Sequence, residues 1–120
     1  MPKKVLIVED EKPLAHALEL KLQHEGFQTT VAHNGQECLD HIENDTYDVV
    51  LLDLMMPVMD GFQVLEALNK KPNKPVAFVL SNLSQREDEA RALKLGARKY
   101  FIKSDTPLAV IIEEVKAALA

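Results

Sequence analysis

The chain has 120 residues, 47 % hydrophobic and 28 % charged, with a net charge of −5 and no tryptophan. That composition fits one ordinary globular domain with its own core, and residues 1–120 read as a single domain. The excess of acids, without a basic run or an aromatic platform, speaks against direct contact with nucleic acid, where Lys and Arg must neutralise phosphates.

The chain opens on Val5–Val8, apolar at every position, as a strand buried on both faces would be. This run is too short for a signal peptide, and none approaches the ~20 apolar residues of a membrane span. A cytoplasmic location away from the membrane is therefore expected. Pro13 suits the first turn of a helix carrying Leu14, Leu18 and Leu22, which Gly26 would stop. Phe27–Ala32 is a second, more polar strand, suited to an edge. Asn34 with Glu37 resembles a capping box for a helix presenting Cys38, Leu39 and Ile42. Cys38, the only cysteine, excludes an internal disulfide and reads as a small buried apolar residue.

"VVLLDL" is the most hydrophobic strand and belongs at the sheet centre. Asp60 with Gln63 caps a short helix carrying Val64, Leu65 and Leu68, and Pro72 and Pro75 bracket its exit. Val76–Leu80 is a fourth strand. Ser84 with Glu87 forms a further capping box, before a helix presenting Ala90, Leu93 and Ala97 with Gly96 near its end. Lys99–Ile102 is a fifth strand. Thr106 would cap a last helix with Pro107 at its first position, followed by the stripe Leu108, Ile111, Ile112, Val115 and Leu119. Five strand–helix repeats with short loops and right-handed crossovers predict an α/β fold: a doubly wound five-stranded parallel sheet with helices on both faces.

Such sheets bind ligands beyond the carboxyl ends of their strands. Those ends offer Glu9 and Asp10, His33 and Asn34, Asp53, Ser81 and Asn82, and Lys103 and Ser104. Like charges held close cost energy unless something positive joins them. Lys103 supplies one positive charge, and Mg²⁺ is suited to supply the rest through oxygen ligands. Mg²⁺ sites with few carboxylates complete their coordination with phosphate oxygens. Lys103 and Ser81 suit a phosphoryl group as well. No Gly-rich phosphate loop is present, so a small phosphoryl group fits better than a nucleotide, with Asp53 available as covalent acceptor.

"VLIVEDE", "VVLLDLMMPVMDG", "VLS" and "YFIK", in this order at the ends of the first, third, fourth and fifth strands, resemble the receiver domain of two-component response regulators. In length the chain is similar to the single-domain chemotaxis type. The resemblance covers the whole chain and implies the flavodoxin-like strand order 2-1-3-4-5. It implies that Asp53 takes a phosphoryl group from a phosphohistidine of a histidine kinase or phosphotransfer protein, or from a small phosphodonor. Asp10, Asp53 and the main-chain carbonyl of Met55 would hold Mg²⁺, with Glu9 acting through water. Lys103 and Ser81 would bind phosphoryl oxygens, and Tyr100 would be the aromatic switch, although half-buried packing explains a strand tyrosine equally well. Such a domain is not an enzyme beyond its own phosphorylation and dephosphorylation. It acts on an output partner or a fused output domain, as a monomer or a phosphorylation-dependent dimer.

Four positions depart from the family pattern. Glu9 replaces a frequent Asp. Val58 stands where Gly is frequent, and a β-branched residue resists positive φ, so this loop is expected to turn differently. Asn82 replaces a small residue beside the phosphoryl path. Ser104 replaces a proline, so a trans Lys103–Ser104 bond is expected. A haloacid-dehalogenase-type phosphatase would need a second Asp where Met55 stands, and a receiver-like fold kept only as an interaction module would not need the full set of acids and the lysine.

Overall fold

The computed structural model describes residues 2–56, 58–83 and 85–119. Strands and helices alternate: β1 (Lys4–Val8), α1 (Lys12–His24), β2 (Gln28–Ala32), α2 (Gly35–Asn44), β3 (Val49–Asp53), α3 (Gly61–Asn69), β4 (Val76–Ser81), α4 (Arg86–Lys94), β5 (Lys99–Ile102) and α5 (Leu108–Ala118). A single 3₁₀ turn, Lys103–Asp105, joins β5 to α5. The strands form one parallel sheet in the order β2-β1-β3-β4-β5, as the resemblance implied.

Alternate residues of each central strand face opposite layers, because side chains in a strand have a period of two. Leu6, Val8, Val50, Leu52, Ala77 and Val79 pack under α2, α3 and α4. Val5, Ile7, Val49, Leu51, Phe78 and Leu80 pack under α1 and α5. Every residue of β3 is buried, so the hydrophobic run of the sequence lies at the sheet centre. β2, exposed at Gln28 and only partly buried from Thr29 to Val31, forms one edge.

Most of the expected helix signals act as read. Pro13 lies in the first turn of α1, and Gly26, with φ +94°, ends it. Asp60 and Gln63 form the full reciprocal capping box on α3. The α2 box is only half formed. Asn34 accepts from the Glu37 N–H at 2.9 Å, but Glu37 returns to the His33 N–H and the Asn34 side-chain amide.

Two expectations on the last helices are corrected. Pro107, not Thr106, is the N-cap of α5, with extended backbone (φ −62°, ψ 147°) and no side-chain cap. The ring allows that conformation as readily as a first helical turn. On α4 the buried residues are Ala92 and, beyond the helix, Ala97, with Leu95 half-buried, whereas Ala90 and Leu93 are exposed. The expected Ser84–Glu87 box involves Ser84, which lies outside the described residues. Val58 does take the left-handed backbone, φ +74°, that its branched side chain was expected to resist.

Candidate functional site

Asp53 is the last residue of β3, and Glu9 and Asp10 follow β1 directly. Since β1 and β3 are neighbours in register, Val8 beside Leu52, their next residues emerge side by side at the sheet's carboxyl edge. Glu9 and Asp53 are buried there and Asp10 is exposed. Each of the three offers a carboxylate oxygen, and these oxygens lie within 4.8 Å of one another. That donor set fits a hard divalent cation such as Mg²⁺.

Lys103 opens the turn after β5, and its ammonium reaches back over the acids. Nζ lies 2.8 Å from Glu9 Oε1, 2.9 Å from Glu11 Oε2 and 3.1 Å from Asp53 Oδ2. Asp53 Oδ1 accepts from the Met55 N–H at 3.1 Å, and Glu9 Oε2 accepts from the Glu11 N–H at 3.1 Å. Burial pushes the Glu9 carboxyl up to about 7; the bond to Lys103 opposes this and the nearby Asp53 charge reinforces it. Burial works against the charge on Lys103, but its bonds to Glu9 and Glu11 and the charge of Asp53 outweigh this and raise its pKa.

Ser81, the last residue of β4, is fully buried. Its Oγ accepts from the Leu83 N–H at 3.0 Å, and the Leu83 carbonyl accepts from the Tyr100 hydroxyl at 2.7 Å. One residue of the β4–α4 loop thus ties the hydroxyl to the aromatic ring. Burial raises the pKa of Tyr100.

Residues 5–115 match the model of the response regulator receiver domain. The chain belongs to that family. The receiver is 36 % identical over 115 residues to YkoG, an uncharacterised transcriptional regulatory protein of Bacillus subtilis (96 % of this chain and 50 % of the relative), so it spans about half the length of that curated relative. Among solved structures it is similar to a Francisella response-regulator receiver domain, with 34 % identity, a TM-score of 0.90, and 97 % and 95 % of the two chains covered. The CheY-like receiver of Methanospirillum hungatei shares 26 % identity at a TM-score of 0.93 over 99 % and 94 % of the chains. The Thermotoga maritima regulator TrrA, solved with Mg²⁺ and BeF, shares 30 % at 0.85 over 97 % and 98 %.

The receiver therefore serves two-component phosphorelay signalling, in which receiver domains accept phosphoryl groups from histidine kinases and act as signalling domains rather than classical enzymes. Among its described residues no helix is long and apolar enough to cross a membrane. Of the residues singled out in the sequence, Glu9, Asp10, Asp53 and Lys103 come together, and Ser81 and Tyr100 are joined through Leu83. His33 turns away to Glu37, and Asn82 and Ser104 are exposed. No described peptide bond is cis, so Lys103–Ser104 is trans as expected.

Glu11 and Leu83 escaped the sequence reading. The third acid of "EDE" was the signal for Glu11. Leu83 acts through its main chain, which a sequence does not display.

Proposed function

We propose that Asp53 is the phosphoryl acceptor of this receiver. The observation that carries this reading is the buried Asp53 carboxylate at the centre of the sheet, held by the Lys103 ammonium and clustered with Glu9 and Asp10. An Asp53 oxygen attacks the phosphorus of a phosphohistidine or of a small phosphodonor. The new O–P bond forms as the bond to the leaving group breaks, and its electron pair departs with the imidazole or the small carboxylate. Phosphoryl transfer needs chiefly positioning and charge neutralisation.

Asp10, Asp53 and the Met55 main-chain carbonyl would hold Mg²⁺ directly, and Glu9 through water. Bound Mg²⁺ would neutralise the phosphoryl oxygens. Lys103 would donate to one of those oxygens and Ser81 to another. To donate, the Ser81 hydroxyl swings toward the phosphoryl group and gives up the Leu83 N–H. Leu83 then shifts and releases Tyr100, which turns inward. The receiver catalyses only its own phosphorylation and dephosphorylation. The receiver acts in the cytoplasm; its donor is a histidine kinase or phosphotransfer protein, and its output is a partner or a fused domain reached as a monomer or a phosphorylation-dependent dimer.

Mass spectrometry after incubation with a small phosphodonor and Mg²⁺ should show one base-labile phosphate. It should be absent in Asp53→Asn. Persistence of that phosphate in the variant overturns the assignment.

A further inference from the structure

Lys103 has three N–H donors, and three carboxylates occupy them: Glu9, Glu11 and Asp53. If the proposed acceptor reading holds, a phosphoryl oxygen arriving while Asp53 is still an ionised carboxylate has to displace one of them. Glu9 and Asp53 have side chains only 3 % and 4 % exposed, whereas that of Glu11 is 56 % exposed. Water therefore stabilises a released Glu11 and cannot do so for the other two. Glu11 is the partner that leaves at least cost.

A second observation is independent of Lys103. Glu11 is the N-cap residue of α1, and its side chain makes no cap hydrogen bond. Ser, Thr, Asp or Asn at an N-cap would take a free backbone N–H of the first turn, and Glu is not among the residues favoured there. The helix thus forgoes a side-chain cap while this carboxylate crosses to Lys103 in the turn after β5.

We propose that Glu11 is a displaceable partner of Lys103: it holds the third N–H donor in the resting receiver and yields it to the phosphoryl group. Glu11 is a positioning residue and a brake. Its charge competes with the phosphoryl group for Lys103 and repels it from the acid cluster. Both effects lower the affinity of the site for a phosphoryl group.

The test measures binding of beryllofluoride, a phosphoryl mimic, at saturating Mg²⁺, by its effect on thermal unfolding and on amide NMR shifts. Glu11→Gln keeps the length and removes the charge. Glu11→Asp keeps the charge but is one methylene short of Lys103 and is a favoured cap. Both variants should bind beryllofluoride about three- to fivefold more tightly, equivalent to about 0.7–1 kcal/mol at 1.4 kcal/mol per tenfold. For Glu11→Gln the advantage should shrink as salt is added, because part of it is charge repulsion. Without Mg²⁺, Glu11→Asp should melt no lower than the wild type, which separates the role toward Lys103 from a role in holding α1. Affinities in both variants equal to or weaker than the wild type overturn the brake. A wild type that binds no beryllofluoride with Mg²⁺ instead overturns the acceptor reading on which it rests.

Discussion

Val58 combines a φ of +74° with a residue 81 % exposed to solvent. The left-handed conformation costs a non-glycine residue roughly 1–2 kcal/mol, and nothing packs around this side chain to offset it. The loop is set from the far side. Gly61 donates to the Leu54 carbonyl at 3.0 Å, and a Cβ there would lie 2.5 Å from Leu54 Cα and 2.6 Å from the Asp53 main-chain oxygen. The Asp60–Gln63 capping box fixes the start of α3. With the chain pinned there, Val58 takes the conformation that remains. Val58→Gly should relieve the strain, less the ~0.4–1 kcal/mol by which glycine loosens the unfolded chain. The expected net is a stabilisation of about 0.5–1 kcal/mol, read as a higher urea midpoint at unchanged slope. A midpoint equal to or below the wild type would show that Val58 is unstrained. Gly61→Ala should go the other way and lose stability, since the backbone it would meet is the end of β3 and the residue after it.

The two helices α3 and α4, on the layer of the sheet against which Tyr100 packs, are held very differently. α3 buries Gly61, Phe62, Val64, Leu65 and Leu68 and carries a full capping box. α4 buries only Ala92 and has no side-chain cap at Gln85. Arg91, whose guanidinium lies 4.1 Å from the Phe62 ring centroid, adds one cation–π contact between them. Amides of α4 should therefore exchange with solvent about tenfold or more faster than those of α3, an opening free energy lower by about 1.4 kcal/mol. Equal protection would contradict this ranking. The same sparseness explains what the sequence hid. In α3 the apolar residues define one stripe and its burial was legible. In α4 the small or apolar residues 90, 92, 93, 95 and 97 fit two stripes, Ala90–Leu93–Ala97 and Ala92–Leu95, and the helical period alone does not choose between them. The strands and the acids at their ends were legible, because an all-apolar run ending on a carboxylate has few places in a parallel sheet. The reach of Lys103 to Glu11 was not, because it joins residues 92 apart in the sequence through a long flexible side chain.

Over the whole molecule, the acid cluster ties stability to pH through Glu9. Its carboxyl titrates near 7 in the folded receiver, against an ordinary value of 4.5. Between these values the folded state binds more protons than the unfolded chain, so stability falls as pH rises. The contribution is fully present below pH 4.5 and is lost as pH rises through about 7. Its size is at most a few kcal/mol, at about 1.4 kcal/mol per tenfold in proton affinity. Without Mg²⁺ the receiver should therefore melt higher at pH 5.5 than at pH 8, and Glu9→Gln should flatten that slope. Mg²⁺ reverses the sign, because a cation at the cluster favours the ionised acids and competes with the proton. The stabilisation by Mg²⁺, about 1.4 kcal/mol at ten times its Kd, should be reached at lower Mg²⁺ concentration at pH 8 than at pH 6. Lys103 stays charged throughout this window, since its pKa is raised further above it. A wild-type slope that survives unchanged in Glu9→Gln would assign the titration to another group. An Mg²⁺ affinity independent of pH in the wild type would place the cation away from Glu9. The two measurements together tell whether the buried carboxyl that destabilises the metal-free receiver at neutral pH is the one that makes the metal-bound form worth reaching.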